Sequence, residues 1–149
     1  MNAADQFIPA DRRTLIAALR CAINGRPECG ELSGADPRAL FRQAREQGID
    51  TYLYPWLASQ KGFSETRAGG IETPLGIWRQ AFLANLVQSD VARRLLQPTL
   101  ARLARAGLDA ILLKGAWLGT TAYDDSAQRR MSDIDLLVRE KDLAAANRE

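Results

Sequence analysis

Two aspartates stand two positions apart near the end of the chain, in the run Ser132-Asp133-Ile134-Asp135-Leu136. The apolar residues around them predict a β-strand. Successive side chains of a strand point to opposite faces, so both carboxylates are expected on one face. Carboxylates that converge repel one another unless a cation lies between them, so such a pair usually binds a divalent metal. Oxygen ligands favour Mg²⁺, with Mn²⁺ as a near substitute. The alternative is a solvated edge strand with two unrelated aspartates.

A glycine follows an earlier apolar run. Residues 110–113 predict a short buried strand, and Lys114-Gly115 comes directly after it. Residues 116–123 then suit one or two helical turns. A glycine at this point lets backbone amides approach an anion closely, and the positive end of a helical turn favours phosphate. A plain strand-to-helix turn that needs glycine for its backbone angles explains Gly115 equally well.

These residues together resemble the DNA polymerase β-like nucleotidyltransferase superfamily, in which an apolar strand, a glycine turn and Asp-x-Asp on the next strand recur. The closer resemblance is to the family of uncharacterised bacterial nucleotidyltransferases. It is carried by Leu113-Lys114-Gly115, Tyr123, Arg129 and the run 133–138. The resemblance is sharp over about residues 108–143 and general before them.

The resemblance implies a magnesium-dependent enzyme that transfers a nucleoside monophosphate from a nucleoside triphosphate, with ATP among the candidates, to an unknown small-molecule or protein acceptor. Asp133 and Asp135 are then the catalytic and metal-binding residues. The residues expected at the nucleotide phosphates are Gly115, Ala116, Lys114 and Arg129. For Lys114 and Arg129, an orienting or surface role is the alternative.

The sequence departs from the family pattern in three ways. Ala116 stands where many members have serine, and the spacer from Gly115 to Asp133 is longer than in the commonest members. The third carboxylate of the superfamily lies on a later strand that these residues do not reach, and Asp142 falls on the following helix instead. We therefore expect an N-terminal fragment with little activity of its own.

Two other functions fit parts of the pattern. A degenerate nucleotidyltransferase module that binds a protein partner through its helical part would suit the missing third carboxylate and the alanine at position 116. A glycosyltransferase, in which Asp-x-Asp holds Mn²⁺ and a nucleotide sugar, is the weaker alternative, because no series of βαβ units precedes the motif.

The elements that position the motif predict an α+β fold. A helical N-terminal region, 1–106, is followed by the first two strands of a nucleotidyltransferase-type α/β core, 107–149, which is truncated at its C-terminus. Helices are predicted over 11–23, from Asp36-Pro37 to Gly48, over 52–57, and from Thr73 to Gly107 with a kink or break near Pro98; residues 61–72 read as a loop. The expected buried positions of the last helix are Trp78, Phe82, Leu86, Leu95, Leu100 and Leu103.

Composition excludes several kinds of site. The 149 residues contain no histidine, which rules out histidine zinc sites, Ser-His-Asp triads and Cys-His dyads. Cys21 and Cys29 fit no common zinc spacing and are expected to be buried or inert thiols. The formal charge of +2 indicates no nucleic-acid surface. Without a signal-peptide pattern or an apolar run of spanning length, we expect a cytoplasmic protein with no membrane partner.

Overall fold

The structure is a computed structural model that describes residues 12–60, 73 and 75–149. Its helices and strands are α1 Arg13–Ile23, α2 Pro37–Glu46, α3 Asp50–Ala58, α4 Gly76–Arg105, β1 Ala110–Leu112, α5 Lys114–Thr121, β2 Leu136–Val138 and α6 Leu143–Ala146. Short 3₁₀ helices occur at Gly30–Leu32, Ser126–Gln128 and Glu140–Asp142. Helices predominate and two strands pair, which agrees with the predicted α+β class. The loop predicted over 61–72 lies outside the described residues.

Two compact units divide the chain, residues 1–82 and 83–149. The division falls inside α4, whereas the predicted boundary after residue 106 falls just past the end of that helix. The domain assignment stays a prediction. Within the described part of the chain, no helix is both long and apolar enough to cross a bilayer.

Local capping chemistry sets two helix ends that the sequence predicts. The Asp36 carboxylate accepts a hydrogen bond of 2.9 Å from the Arg38 amide, and Pro37 is the first residue of α2. Gly107 lies two residues after Arg105, the last residue of α4, and takes a φ of +70°, in the left-handed region that glycine enters without a steric penalty. Both ends were predictable because capping depends on a few neighbouring residues.

The core of the first unit is formed by α1, α2, α3 and the start of α4. Its buried apolar residues include Leu15, Ala18, Leu40, Ala44, Leu53, Leu57 and Trp78. The indole nitrogen of Trp78 donates to the Pro37 carbonyl at 3.3 Å. The Phe41 ring packs edge-on against the indole at a centroid distance of 5.2 Å. Trp78 is therefore a core residue, with its one polar atom satisfied.

Helix α4 differs from its prediction in two respects. It runs unbroken through Pro98, so the predicted break does not occur there, whereas the alternative of a kink stays a prediction. Leu86 and Leu95, predicted to be buried, are 38% and 62% exposed. The buried side chains on this stretch are the polar Asn85 and Ser89. The apolar pattern was misleading because the inward face of the helix carries hydrogen-bonding groups.

The sheet of the second unit has two antiparallel strands, with Ala110 opposite Val138 and Leu112 opposite Leu136. Two strand predictions are wrong. The second strand begins at Leu136 rather than at residue 134, and β1 is not a buried strand, because Ile111 is 60% exposed.

Candidate active site

The turn between β1 and α5 brings the start of α5 beside Asp135. The Leu113 amide donates to the Asp135 carbonyl at 3.0 Å, which extends the pairing of the strands by one residue. Lys114 then takes a φ of +49°, a left-handed conformation that residues with a side chain seldom adopt. Helix α5 starts at this residue, so its first turn lies next to the end of the ladder.

The carboxylates of Asp133 and Asp135 both act on the ammonium group of Lys114. Lys114 Nζ lies 2.8 Å from Asp135 Oδ2. The hydrogen bond and charge of Asp135, with a smaller effect from the charge of Asp133, raise the pKa of Lys114. Asp135 therefore pairs directly with Lys114, whereas Asp133 acts on Lys114 only through its charge. Both aspartates precede β2 instead of lying on it, which corrects the predicted strand, and their sharing of one face stays a prediction.

The start of α5 offers hydrogen-bond donors next to a guanidinium group. No side chain caps this end of the helix. The first amides of any helix have no acceptor within the helix, and in α5 these include the amides of Gly115 and Ala116. A Cβ atom on Gly115 would lie 3.9 Å from Nη2 of Arg129. The Nε atom of Arg129 is buried and has no hydrogen-bond partner among the described residues. Donors grouped in this way favour an anion.

A family model described as uncharacterised nucleotidyltransferase matches residues 33–148. The chain belongs to this nucleotidyltransferase family. This confirms the family that the sequence resembles, and it supports nucleotidyl transfer as the general class of activity. No curated protein and no solved structure shows significant similarity to the chain.

Asn85 is a residue of the candidate site region that was not identified from the sequence. Its buried side-chain amide donates to the carbonyls of Ala127 and Arg129, at 2.7 and 3.0 Å. Asp125 accepts a bond of 2.8 Å from the Ala127 amide and caps the short helix Ser126–Gln128. Together these bonds hold the segment that carries Arg129. The available signal was a pair of polar residues, Asn85 and Ser89, four positions apart on one face of α4.

We expect Asn85→Ala to lower the free energy of unfolding by about 2 kcal/mol, because two buried carbonyls lose their donor. The measurement is urea unfolding followed by circular dichroism. Gln88→Ala is the matched control, since Gln88 is exposed on the same helix and should change stability by less than about 0.5 kcal/mol. Equal stability of the two variants would show that Asn85 does not anchor this segment.

A small cavity of about 50 Å³ lies beside Arg129 within the second unit. Its lining includes Ala92, Leu96, Gly115, Met131 and Ile134. It has room for a few water molecules but not for a nucleotide. At the open surface, the side chain of Lys114 is exposed and that of Asp135 is partly exposed.

Proposed function

We propose that this nucleotidyltransferase transfers a nucleoside monophosphate from a nucleoside triphosphate to a small-molecule or protein acceptor, with Mg²⁺ held by Asp133 and Asp135. The observation that carries the proposal is the 2.8 Å ion pair between Asp135 and Lys114 at the uncapped start of α5. A triphosphate with its metal needs an acidic patch beside a cluster of N–H donors. This site has both, because Asp135 pairs with Lys114 at the start of α5.

The two aspartates fit a hard divalent cation. Carboxylate oxygens are the protein ligands that Mg²⁺ prefers, and it is usually bound by one or two of them together with substrate phosphates. The Asp135 side chain is 35% exposed and Asp133 is exposed, so a hydrated ion has access to both. When bound, Mg²⁺ or Mn²⁺ would neutralise charge on the triphosphate and polarise its reacting oxygens. Without it, Lys114 balances the charge of Asp135.

The phosphates would lie at the first turn of α5. The amides of Gly115 and Ala116 and the guanidinium of Arg129 are donors for the β- and γ-phosphates. Ala116 would contribute its amide alone, since its methyl group is buried.

Lys114→Gln is expected to separate metal binding from nucleotide binding. The change removes the cation that competes for Asp135, so affinity for Mn²⁺ alone should stay equal or rise a few-fold, on the scale of surface ion pairs. The KM for the nucleotide should rise about 10-fold, because one charged hydrogen bond to phosphate is lost. Calorimetric titration with Mn²⁺ and steady-state kinetics measure the two effects.

Lys141→Gln, at an exposed lysine after β2, is the control for loss of one positive charge.

Because the pKa of Lys114 is raised above its ordinary value of 10.5, Lys114 stays charged at every pH below that value. Its pairing with Asp135 is lost only as the pH rises through the raised pKa. The competition is therefore constant over neutral assay conditions. Weaker Mn²⁺ binding by Lys114→Gln than by the unchanged protein would contradict the competition between Lys114 and Mn²⁺ for Asp135.

The proposed reaction forms a bond between an acceptor oxygen and the α-phosphorus and releases pyrophosphate. The test is incubation of the protein with each nucleoside triphosphate, labelled at the α- or the γ-phosphate, together with Mg²⁺ and cell extract. Label from the α-position should reach an acceptor, and label from the γ-position should leave with pyrophosphate. Transfer of the γ-label would overturn the proposal. Nucleotide binding without transfer would support the degenerate module, and transfer only from labelled nucleotide sugars would support a glycosyltransferase.

A further inference from the structure

Two buried thiols and one carboxylate converge in the first compact unit, away from the aspartate motif in sequence. Cys21 lies in the last turn of α1, Cys29 precedes the 3₁₀ helix Gly30–Leu32, and Glu31 lies within that helix. Both Sγ atoms and a carboxylate oxygen of Glu31 lie within 4.8 Å of one another. Cys29 Sγ is 3.4 Å from Glu31 Oε2. Three potential ligand atoms thus surround one point.

The chain between the two cysteines is held in place by hydrogen bonds. Gly25 takes a φ of +60° after the end of α1, and the Arg26 amide donates to the Cys21 carbonyl at 2.9 Å. The indole nitrogen of Trp56 donates to the Arg26 carbonyl at 2.8 Å. The return of the chain towards Cys29 therefore depends on neighbouring residues of α1 and α3, and the three groups need no large rearrangement to act together.

We propose that Cys21, Cys29 and Glu31 form a zinc-binding site, with water as the fourth ligand. In a tetrahedral site with Zn–S of about 2.3 Å and Zn–O of about 2.0 Å, sulfur and oxygen are about 3.5 Å apart and two sulfurs about 3.8 Å apart. The Cys29–Glu31 distance already matches the first value. The sulfurs need at most about 1 Å of closure to reach the second.

The donor set distinguishes this site from the aspartate pair. Thiolates select zinc over magnesium, whereas carboxylates alone favour magnesium. Glu31 is exposed while both cysteines are buried, so an ion can enter from the Glu31 side. Without a metal, desolvation by burial, and then the contacts with Cys21 and Glu31, raise the pKa of the Cys29 thiol to about 12. Zinc displaces thiol protons when it binds, so all variants are compared at one pH.

The test is a Co²⁺ titration of the reduced protein, followed by displacement with Zn²⁺. Co²⁺ bound by thiolates gives a charge-transfer absorption band that carboxylate ligands alone do not give. We expect one Co²⁺ per chain with this band, and its loss when one equivalent of Zn²⁺ is added. Asp133→Asn with Asp135→Asn should leave the band unchanged, so failure of the nucleotidyltransferase proposal and failure of this one are distinguishable.

Three variants test the ligand set. Cys29→Ser should weaken Co²⁺ binding by more than about 100-fold and Glu31→Gln by at least about 10-fold, since loss of an outer-shell partner already costs 10–100-fold. Glu28→Gln, in the same loop but outside the cluster, should change nothing. Glu31→Gln alters only an exposed side chain, so it remains informative if Cys29→Ser misfolds. Absence of the band in folded, reduced protein overturns the proposal. So does unchanged affinity in Glu31→Gln, or a Cys21–Cys29 disulfide whose reduction yields no Co²⁺ binding.

Discussion

Replacement of Asp133 and Asp135 by asparagine, singly or together, is expected to abolish nucleotidyl transfer and to leave the fold intact. Asparagine keeps the shape of aspartate but not the charge that attracts a divalent cation. Each single change should lower kcat/KM by more than about 100-fold, because even an outer-shell partner of a metal ligand is worth 10–100-fold. Stability should change by less than about 1 kcal/mol, since the Lys114–Asp135 pair lies at the surface.

Asp109→Asn is the matched control for this experiment. Asp109 pairs with Arg139 at 2.8 Å, the same distance as between Lys114 and Asp135, and both partners are exposed. The change removes a surface ion pair beside the same two strands without touching the proposed metal ligands, so kcat/KM should not change. Release of pyrophosphate is the measurement. Transfer at the normal rate by the double aspartate variant would contradict the assigned roles.

Local signals predicted much of the helical architecture. The Asp36-Pro37 pair and Gly107 mark helix ends at which a side-chain cap or a left-handed residue is required, and each acts within a few positions. One or two helical turns were predicted over residues 116–123, and α5 spans Lys114–Thr121, so it begins two residues earlier. Such features are readable from sequence because their physical cause is local.

The extent of the second strand was not predictable, because it depends on the partner strand. The apolar residues around Asp133 and Asp135 suggest a strand from residue 134, yet β1 offers no partner beyond Leu113. The chain turns away at Lys114 with its positive φ, and nothing in the sequence requires that conformation at a lysine. The pairing of Lys114 with Asp135 follows from this turn.

Two further features depend on contacts between distant parts of the sequence. Asn85 faces inward because it bonds carbonyls more than 40 residues later. Hydrophobicity alone therefore placed Leu86 and Leu95 inward wrongly, although it placed Trp78 and Leu103 there correctly. Cys21, Cys29 and Glu31 match no zinc spacing, and only the return of the chain after Gly25 brings them together. Neither the hydrogen bonds of Asn85 nor the cluster of Cys21, Cys29 and Glu31 can be predicted from a sequence pattern, because each arises from tertiary packing.

Gly115→Ala is expected to stabilise the fold and to impair nucleotide binding. The φ of Gly115 is not in the left-handed region, and a Cβ would meet Arg129 Nη2 at 3.9 Å and Met131 Cγ at 4.0 Å, ordinary contact distances. Alanine in a helix is favoured over glycine by up to about 1 kcal/mol. Neither backbone angle nor crowding therefore explains the glycine. We propose that the glycine allows a ligand to approach the amides of the first turn of α5 closely.

Gly119→Ala provides the comparison that isolates this effect. Gly119 lies one turn later in α5, and a Cβ there would meet Arg129 Cβ at 4.0 Å, so both variants add one methyl group against the same arginine. Both should raise the midpoint of urea unfolding. Only Gly115→Ala should raise the KM for the nucleotide, by about 10-fold or more, since one hydrogen bond to a charged phosphate is worth about 1.5–3 kcal/mol. Equal KM values in the two variants would place the phosphates elsewhere, because a methyl group at the start of α5 cannot leave a phosphate bound there undisturbed.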